Sequence, residues 1–326
     1  MGVDASFWNA RSVLVTGASG LLGGWVCRAL AEAGAGVQGL DLDWSRAAAI
    51  GGVDGMMRVD GDVRDAGVVE RLLDEHSIDT VIHLAARTLV GPANADPAET
   101  FDHNVRGTWT LLDAVRGRKG VESVVVASSD KAYGDHGGAP YVEDMALRAE
   151  HPYAASKACT DLVARTYAKS FGLPVTITRC GNIYGGGDLE WSRIVPGTIH
   201  SVLRGERPVI RSDGSYVREY FYVEDAADGV AVLAQKTVED PTLAGEAFNF
   251  GSGTARTAFD LVGEILELMG SDLQPEIRNE SVNEIREQRV DARKARERLG
   301  WTATHTLRDG LALTISWYRS FLAAAA

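Results

Sequence analysis

Two short stretches of the chain carry side chains able to move protons. In PYAASK, Tyr153 and Lys157 stand four residues apart, so on a helix they share one face. An ammonium beside a phenol favours the phenolate and can draw its pKa from ~10 toward neutrality, which makes a usable base. The plain alternative is a tyrosine and a lysine that merely pack on one helix. In SVVVASSDKAYG an apolar run ends in Ser129, Asp130 and Lys131. A plain turn at the mouth of a buried strand needs neither an acid nor a base. Taken alone, the pair fits a structural Asp–Lys ion pair as well as proton chemistry.

A third stretch, TGASGLLGG, has Gly17, Gly20 and Gly23 at intervals of three, between a strand-like run and a helix-like one. Without side chains the backbone can turn tightly, approach a pyrophosphate and point a helix N-terminus at its charge. In that setting the triplet reads as a dinucleotide site rather than an ordinary tight loop. Asp41 closes the second apolar run. A carboxylate there can accept from the ribose hydroxyls of NAD and repel the extra phosphate of NADP. NAD is therefore the expected cofactor; Arg46 keeps NADP as the alternative, and a solvated loop acid is the plain reading of Asp41. Asp62, in GDV after the expected third strand, fits either an acceptor for the adenine amino group or a turn residue.

The elements that must position these groups alternate. SVLVTG, VQGLDL, TVIHLAA, SVVVASS and VTITRC are strand candidates, and their nearly continuous apolar character implies burial on both faces, as in a parallel sheet. LLGGWVCRALAEAG, DAGVVERLLDEH, AETFDHNVRGTWTLLDAVRG and PYAASKACTDLVARTYAKSFG place apolar residues at spacings of three and four, as amphipathic helices do. The alternation predicts an α/β, doubly wound fold. After about residue 185 the pattern loses regularity, with no repeat, low-complexity tract or linker. Residues 1–180 are expected to form the dinucleotide-binding domain. Residues 181–326 are expected to form mainly a smaller substrate lobe, some of its segments returning to the first domain, with the ligand cleft between.

Composition narrows the partners. The 326 residues include 45% hydrophobic ones, enough for a large core, and carry a formal charge of -12. That balance argues against a nucleic-acid or anionic-membrane surface. Cys27, Cys159 and Cys180 lie far apart without metal-ligand spacing, so reduced thiols and no metal site are expected. No basic start with an apolar run opens the chain, and no apolar stretch approaches the ~20 residues of a membrane span. A cytoplasmic protein is the expectation.

Taken in order, TGASGLLGG, HLAA, HNVRGT, SSDKAYG, YAASK and RCGNIYGGG resemble the extended short-chain dehydrogenase/reductase superfamily of nucleotide-sugar epimerases and dehydratases. The resemblance covers nearly the whole chain. It implies a Rossmann-type parallel sheet with a C-terminal substrate-binding lobe, NAD as cofactor, and redox roles for Tyr153, Lys157 and Ser129. It further implies cofactor contacts from Gly17, Ser19, Gly20, Leu21, Leu22, Gly23, Asp41, Asp62, Val63, Leu84, Ala85, Ala86, Asn104, Tyr153, Lys157 and Cys180. Asn182 would donate to a substrate diphosphate and Arg218 would clamp it, with Arg193 a further candidate; plain surface charge is the alternative. Thr88 and Glu284 occupy motif-matching positions on the substrate side. A homodimer built from helices near residues 104–117 and 153–171 is also implied.

Within that superfamily, 4-epimerases tend to carry small neutral residues where Asp130 and Lys131 stand, whereas 4,6-dehydratases place an acid followed by Glu or Lys. Dehydration needs one group to protonate the departing C6 hydroxyl and another to take the C5 proton; epimerisation needs neither. SFW, GGW, AARTLV, GNIYGGGD with RIVP, and VDARKARERLGW are similar to the CDP-glucose 4,6-dehydratases. The ASGLLGG loop departs from that branch, which carries His-Thr and a lysine there, and the segment between Tyr133 and Tyr153 is shorter. The resemblance thus implies an NAD-dependent dehydratase of a CDP-glucose-like NDP-hexose. The alternatives are an NAD-dependent 4-epimerase of a UDP- or CDP-hexose and a non-catalytic NAD-binding scaffold.

Overall fold

A computed structural model describes residues 3–47, 52–280 and 285–325. Strands β1 (Ser12–Thr16), β2 (Gly36–Asp41), β3 (Met57–Asp60), β4 (Thr80–His83), β5 (Ser123–Ala127) and β6 (Val175–Cys180) join a later strand, Ala247–Phe250, in one sheet of seven. The order is β3-β2-β1-β4-β5-β6 with Ala247–Phe250 outermost, and every pairing is parallel. The order of the strands reverses between β1 and β4, the place where such folds open a ligand crevice at the carboxyl ends of their strands.

The apolar runs are explained by two cores. On β1, Val13 and Val15 face one core while Leu14 faces the other. The first core is closed by the helices Leu21–Glu32 and Val223–Glu239, through Val26, Leu30, Ala227, Val230 and Ala231. The second is closed by Ala66–Glu75, Gly107–Arg116 and Pro152–Phe171, through Val69, Leu72, Leu111, Val115 and Ala164. A strand buried on both sides has no polar face to show, hence its unbroken hydrophobicity.

One predicted helix is divided. Where AETFDHNVRGTWTLLDAVRG reads as continuous, the chain makes the helix Pro97–Phe101, a π-helical turn over Asp102–Arg106, and the helix Gly107–Arg116. The wider turn is a local interruption of the kind that often marks a working position, and it carries Asn104.

The later half builds a four-stranded sheet from Asn182–Tyr184, Val217–Tyr222, Ala255–Thr257 and Glu287–Gln288. Ile194–Leu203, Ala258–Met269 and Leu307–Ala325 pack on it around Tyr184, Tyr222, Leu261, Ile265 and Leu311. Between these pieces the chain returns to the large sheet, supplying Val223–Glu239, Ala247–Phe250 and Arg293–Leu299. Among the described residues no helix is long and apolar enough to cross a membrane.

Candidate active site

The cleft lies along the carboxyl ends of the large sheet, with the smaller lobe as its other wall. Its floor begins at the glycine turn. Gly17 has φ +73, and a Cβ there would stand 2.8 Å from the Ala85 backbone nitrogen. A Cβ on Gly23 would lie 2.0 Å from the Gly17 carbonyl oxygen, so the helix can start only where side chains are missing. Gly20 is the N-cap of Leu21–Glu32 and offers no side-chain bond to it. The first-turn N–H groups therefore face the cleft uncapped, as an anion site requires.

Asp41, the last residue of β2, accepts from the Ser19 backbone N–H at 2.9 Å and from Leu42 N–H at 2.8 Å. Its carboxylate is thus fixed beside the glycine turn, and Ser19 Oγ donates to the Asp43 carbonyl at 2.7 Å. Asp62 lines the same end, gripped by Arg64 through Nε at 2.8 Å and Nη2 at 2.6 Å. Burial opposes its charge, but the Arg64 bonds outweigh that and hold the carboxyl below its usual range. Leu21, Leu22, Val63, Leu84, Ala85 and Ala86 complete this apolar, glycine-floored trough. A Cβ-free cradle, an uncapped helix start and a fixed carboxylate at the β2 end together fit a dinucleotide.

Beneath the trough lies His83, 2% exposed. Its Nδ1 meets Thr16 Oγ1 at 2.8 Å and its Nε2 meets Thr108 Oγ1 at 3.0 Å. Burial, with the Lys157 charge adding to it, pulls the imidazole down to about 3. It is a neutral brace between β1 and the helix Gly107–Arg116.

The proton-moving residues converge at the mouths of β5 and β6. Ser129 caps a 3-10 turn over Asp130–Tyr133, its Oγ accepting from Lys131 N–H at 3.2 Å and donating to Asp130 Oδ1 at 3.0 Å. Asp130 is 3% exposed. Tyr153, Lys157 and Cys180 line the same cleft. Tyr153 and Lys157 lie on one helix, as their spacing implies, and Lys157 Nζ donates to the Ala127 carbonyl at 2.7 Å. Burial pushes Tyr153 up to about 12, the Ser129 hydroxyl pulling against it and the Asp130 charge adding to it. Burial likewise lowers Lys157 to about 8 and raises the Cys180 thiol to about 12, which leaves Cys180 an inert wall.

Behind the catalytic turn is a buried polar network that the motifs did not reveal. Arg179, on β6 and fully buried, donates from Nε and Nη2 to the Asp161 carboxylate at 2.7 and 3.0 Å and from Nη1 to Tyr133 Oη at 2.8 Å. Tyr133 in turn donates to Asn249 Oδ1 at 2.7 Å and stacks on Tyr141 at 4.7 Å. The one available signal was a charged residue inside the strand VTITRC, which must find an opposite charge to be buried at all.

The lobe supplies the cations. Arg218, on Val217–Tyr222 and 8% exposed, lines the cleft with its guanidinium over Tyr216. Arg193 donates to Asp188 at 3.0 Å and to Thr88 Oγ1 at 3.1 Å, which ties the lobe to the loop after β4. Asn182 lines the cleft, its amide donating to the Glu219 carbonyl at 3.3 Å. Asn104 does not line it. Asn104 accepts from Arg87 N–H at 2.7 Å and donates to Arg87 O and Ser156 Oγ, fastening the β4 loop to the tyrosine helix from behind. Glu284 lies outside the described residues.

Fold and site together define a Rossmann-type enzyme of the extended short-chain dehydrogenase/reductase class. Residues 13–251 match the model of the NAD dependent epimerase/dehydratase family. The chain belongs to that family. It is 30% identical to the CDP-glucose 4,6-dehydratase of Salmonella typhimurium over 98% of this chain and 94% of the relative. It superposes on a dTDP-glucose 4,6-dehydratase from Streptomyces venezuelae, solved with NAD bound, with TM-score 0.85 and 32% identity over 94% of this chain and 96% of that one. A UDP-glucose 4-epimerase from Thermotoga maritima, solved with UDP-glucose, gives TM-score 0.87 and 29% identity over 96% of this chain and all of the other.

Proposed function

We propose that the chain is an NAD-dependent nucleotide-sugar 4,6-dehydratase that converts a CDP-glucose-like NDP-hexose to its 4-keto-6-deoxy form. The observation that carries this reading is the turn Ser129–Asp130–Lys131, set in the same cleft as Tyr153 and Lys157. NAD, held on the glycine turn beside Asp41, would supply the acceptor for the C4 hydride and its return to C6. Tyr153 takes the C4 hydroxyl proton, Ser129 hydrogen-bonds the oxygen that becomes the ketone, and Lys157 places a positive charge beneath them. The ketone acidifies C5–H, which Lys131 removes. Asp130 protonates the C6 hydroxyl, which leaves as water, and Lys131 returns a proton to C5 as the hydride reaches C6. One water is lost and the cofactor ends as it began. Arg218, Arg193 and Asn182 hold the diphosphate.

The likeness to a 4-epimerase in overall fold supports a second reading, inversion at C4 without loss of water. Incubation with a panel of nucleotide hexoses, followed by product mass and sugar NMR, separates the two. Loss of the C6 oxygen supports the dehydratase; retention with inverted C4 refutes it. Asp130→Asn should keep NAD binding while lowering dehydration about 100-fold or more.

The same reading includes a homodimer in the cytoplasm. Trp109 and Leu162, 43% and 56% exposed, stand on the helices Gly107–Arg116 and Pro152–Phe171 and supply an apolar contact for a second copy. A monomer by light scattering would remove that part alone.

A further inference from the structure

Gln288 belongs to none of the motifs, yet it reaches the catalytic turn. The strand Glu287–Gln288 runs parallel to Val217–Tyr222, with Gln288 opposite Arg218. From there its side chain crosses to the other wall of the cleft, where Lys131 Nζ donates to Gln288 Oε1 at 3.3 Å, over 157 residues of sequence. Gln288 is 2% exposed and lines the cleft.

Its backbone is held on both sides. Val217 N–H donates to the Arg286 carbonyl at 2.8 Å, Tyr141 N–H to the Arg289 carbonyl at 2.9 Å, and Asp291 N–H to the Tyr141 carbonyl at 2.8 Å. The backbone that carries the acceptor is therefore fixed, whereas a lysine side chain loses about 2 kcal/mol of rotamer freedom when it is held in one place. A glutamine oxygen also differs in kind from a carboxylate. It accepts a hydrogen bond without adding a negative charge, and a nearby negative charge would favour the ammonium over the free amine that a base must become.

We infer that Gln288 is a positioning residue for the elimination step, its amide oxygen holding the Lys131 amine in the cleft for transfer of the C5 proton. This rests on the dehydratase reading. It ties a strand of the substrate lobe, next to the phosphate-facing Arg218, to the base on the opposite wall. Elimination should then depend on the lobe strand being in place, while oxidation at C4 by Tyr153 should not.

The test uses the full chain with NAD and CDP-glucose or dTDP-glucose. For Gln288→Leu, 4-keto-6-deoxy product and deuterium uptake at C5 from heavy water should fall about 10- to 100-fold. KM should stay within about twofold, and borodeuteride should still trap a 4-keto hexose that retains its C6 oxygen. Added to Lys131→Ala, the same change should cause no further loss, because a residue acting through the lysine has nothing left to position. If Gln288→Leu melts early, Gln288→Met repeats the test at similar chain length. Unchanged C5 exchange, a loss that multiplies with that of Lys131→Ala, or equal loss of C4 oxidation would overturn the role of Gln288 while leaving the dehydratase reading intact. Wild-type protein that only inverts C4 would overturn both.

Discussion

Lys157 is a buried charge held at a cost to stability. The residue is 4% exposed, and burial lowers its pKa from 10.5 to about 8, equivalent to about 3 kcal/mol against the folded charged form at neutral pH. Lys157→Met keeps the apolar stem and removes the charge. It also removes the bond to the Ala127 carbonyl at 2.7 Å, worth about 1 kcal/mol in the other direction. The variant should therefore unfold about 2 kcal/mol later than wild type at pH 7, while losing sugar oxidation.

The pH dependence makes the test specific. Between about 8 and 10.5 the unfolded chain still binds this proton and the folded chain has released it, so wild-type stability rises with pH relative to the variant. The advantage of Lys157→Met is thus full below about 8 and gone above 10.5. Urea midpoints of both proteins across this window, without added NAD, measure it. A variant no more stable than wild type, or a difference flat across the window, would refute the argument that burial of this ammonium opposes folding.

Tyr153→Phe should lower turnover by about 100- to 10,000-fold with NAD affinity kept, and because the phenol sits above its ordinary range, wild-type C4 oxidation should rise with pH through neutrality; a falling profile in single-turnover assays would contradict its role as base. Gly17→Ala should weaken NAD binding at least tenfold and cost roughly 1–3 kcal/mol, since φ +73 and a contact at 2.8 Å oppose any Cβ; fluorescence titration and thermal melts read both. Arg179→Met should destabilise by about 3–5 kcal/mol by leaving the buried Asp161 with only the partly exposed Arg165 at 3.9 Å, and adding Asp161→Leu should restore much of that. Denaturant midpoints of the three proteins decide it.

What the sequence made legible follows from periodicity. The five runs read as strands and three of the four read as helices lie in the elements expected of them, because each strand is buried on two faces and each helix on one; the fourth is broken by the π-helical turn Asp102–Arg106. Ala247–Phe250 escapes that reading. AFNF is short, and its central Asn249 is buried only because the Tyr133 hydroxyl and the Tyr141 carbonyl meet its side chain, partners more than a hundred residues away. The strands of the lobe, down to two residues in Glu287–Gln288, exist through long-range pairing and have no local period to detect. Motif positions located the cleft-lining residues well. They could not say that Asn104 braces the wall from behind, or that Lys157 points at a backbone carbonyl.

The same long-range pairing makes residues on both sides of position 180 share the large sheet and its cores. Residues 1–180 contain the glycine turn, the proton-moving residues and Arg179. They lack Asn249, which receives the Tyr133 hydroxyl, and the helix Val223–Glu239, which packs on the helix Leu21–Glu32 and on β5 in the core shared by Val26, Leu30 and Val125. Stripped of that helix, β5 would expose the side whose burial made it read as a strand in the first place. The lobe in turn depends on the first half, because Glu143 accepts from the Asn249 N–H at 2.8 Å and Tyr141 pairs with Val290. The catalytic turn is thus anchored by residues from both halves.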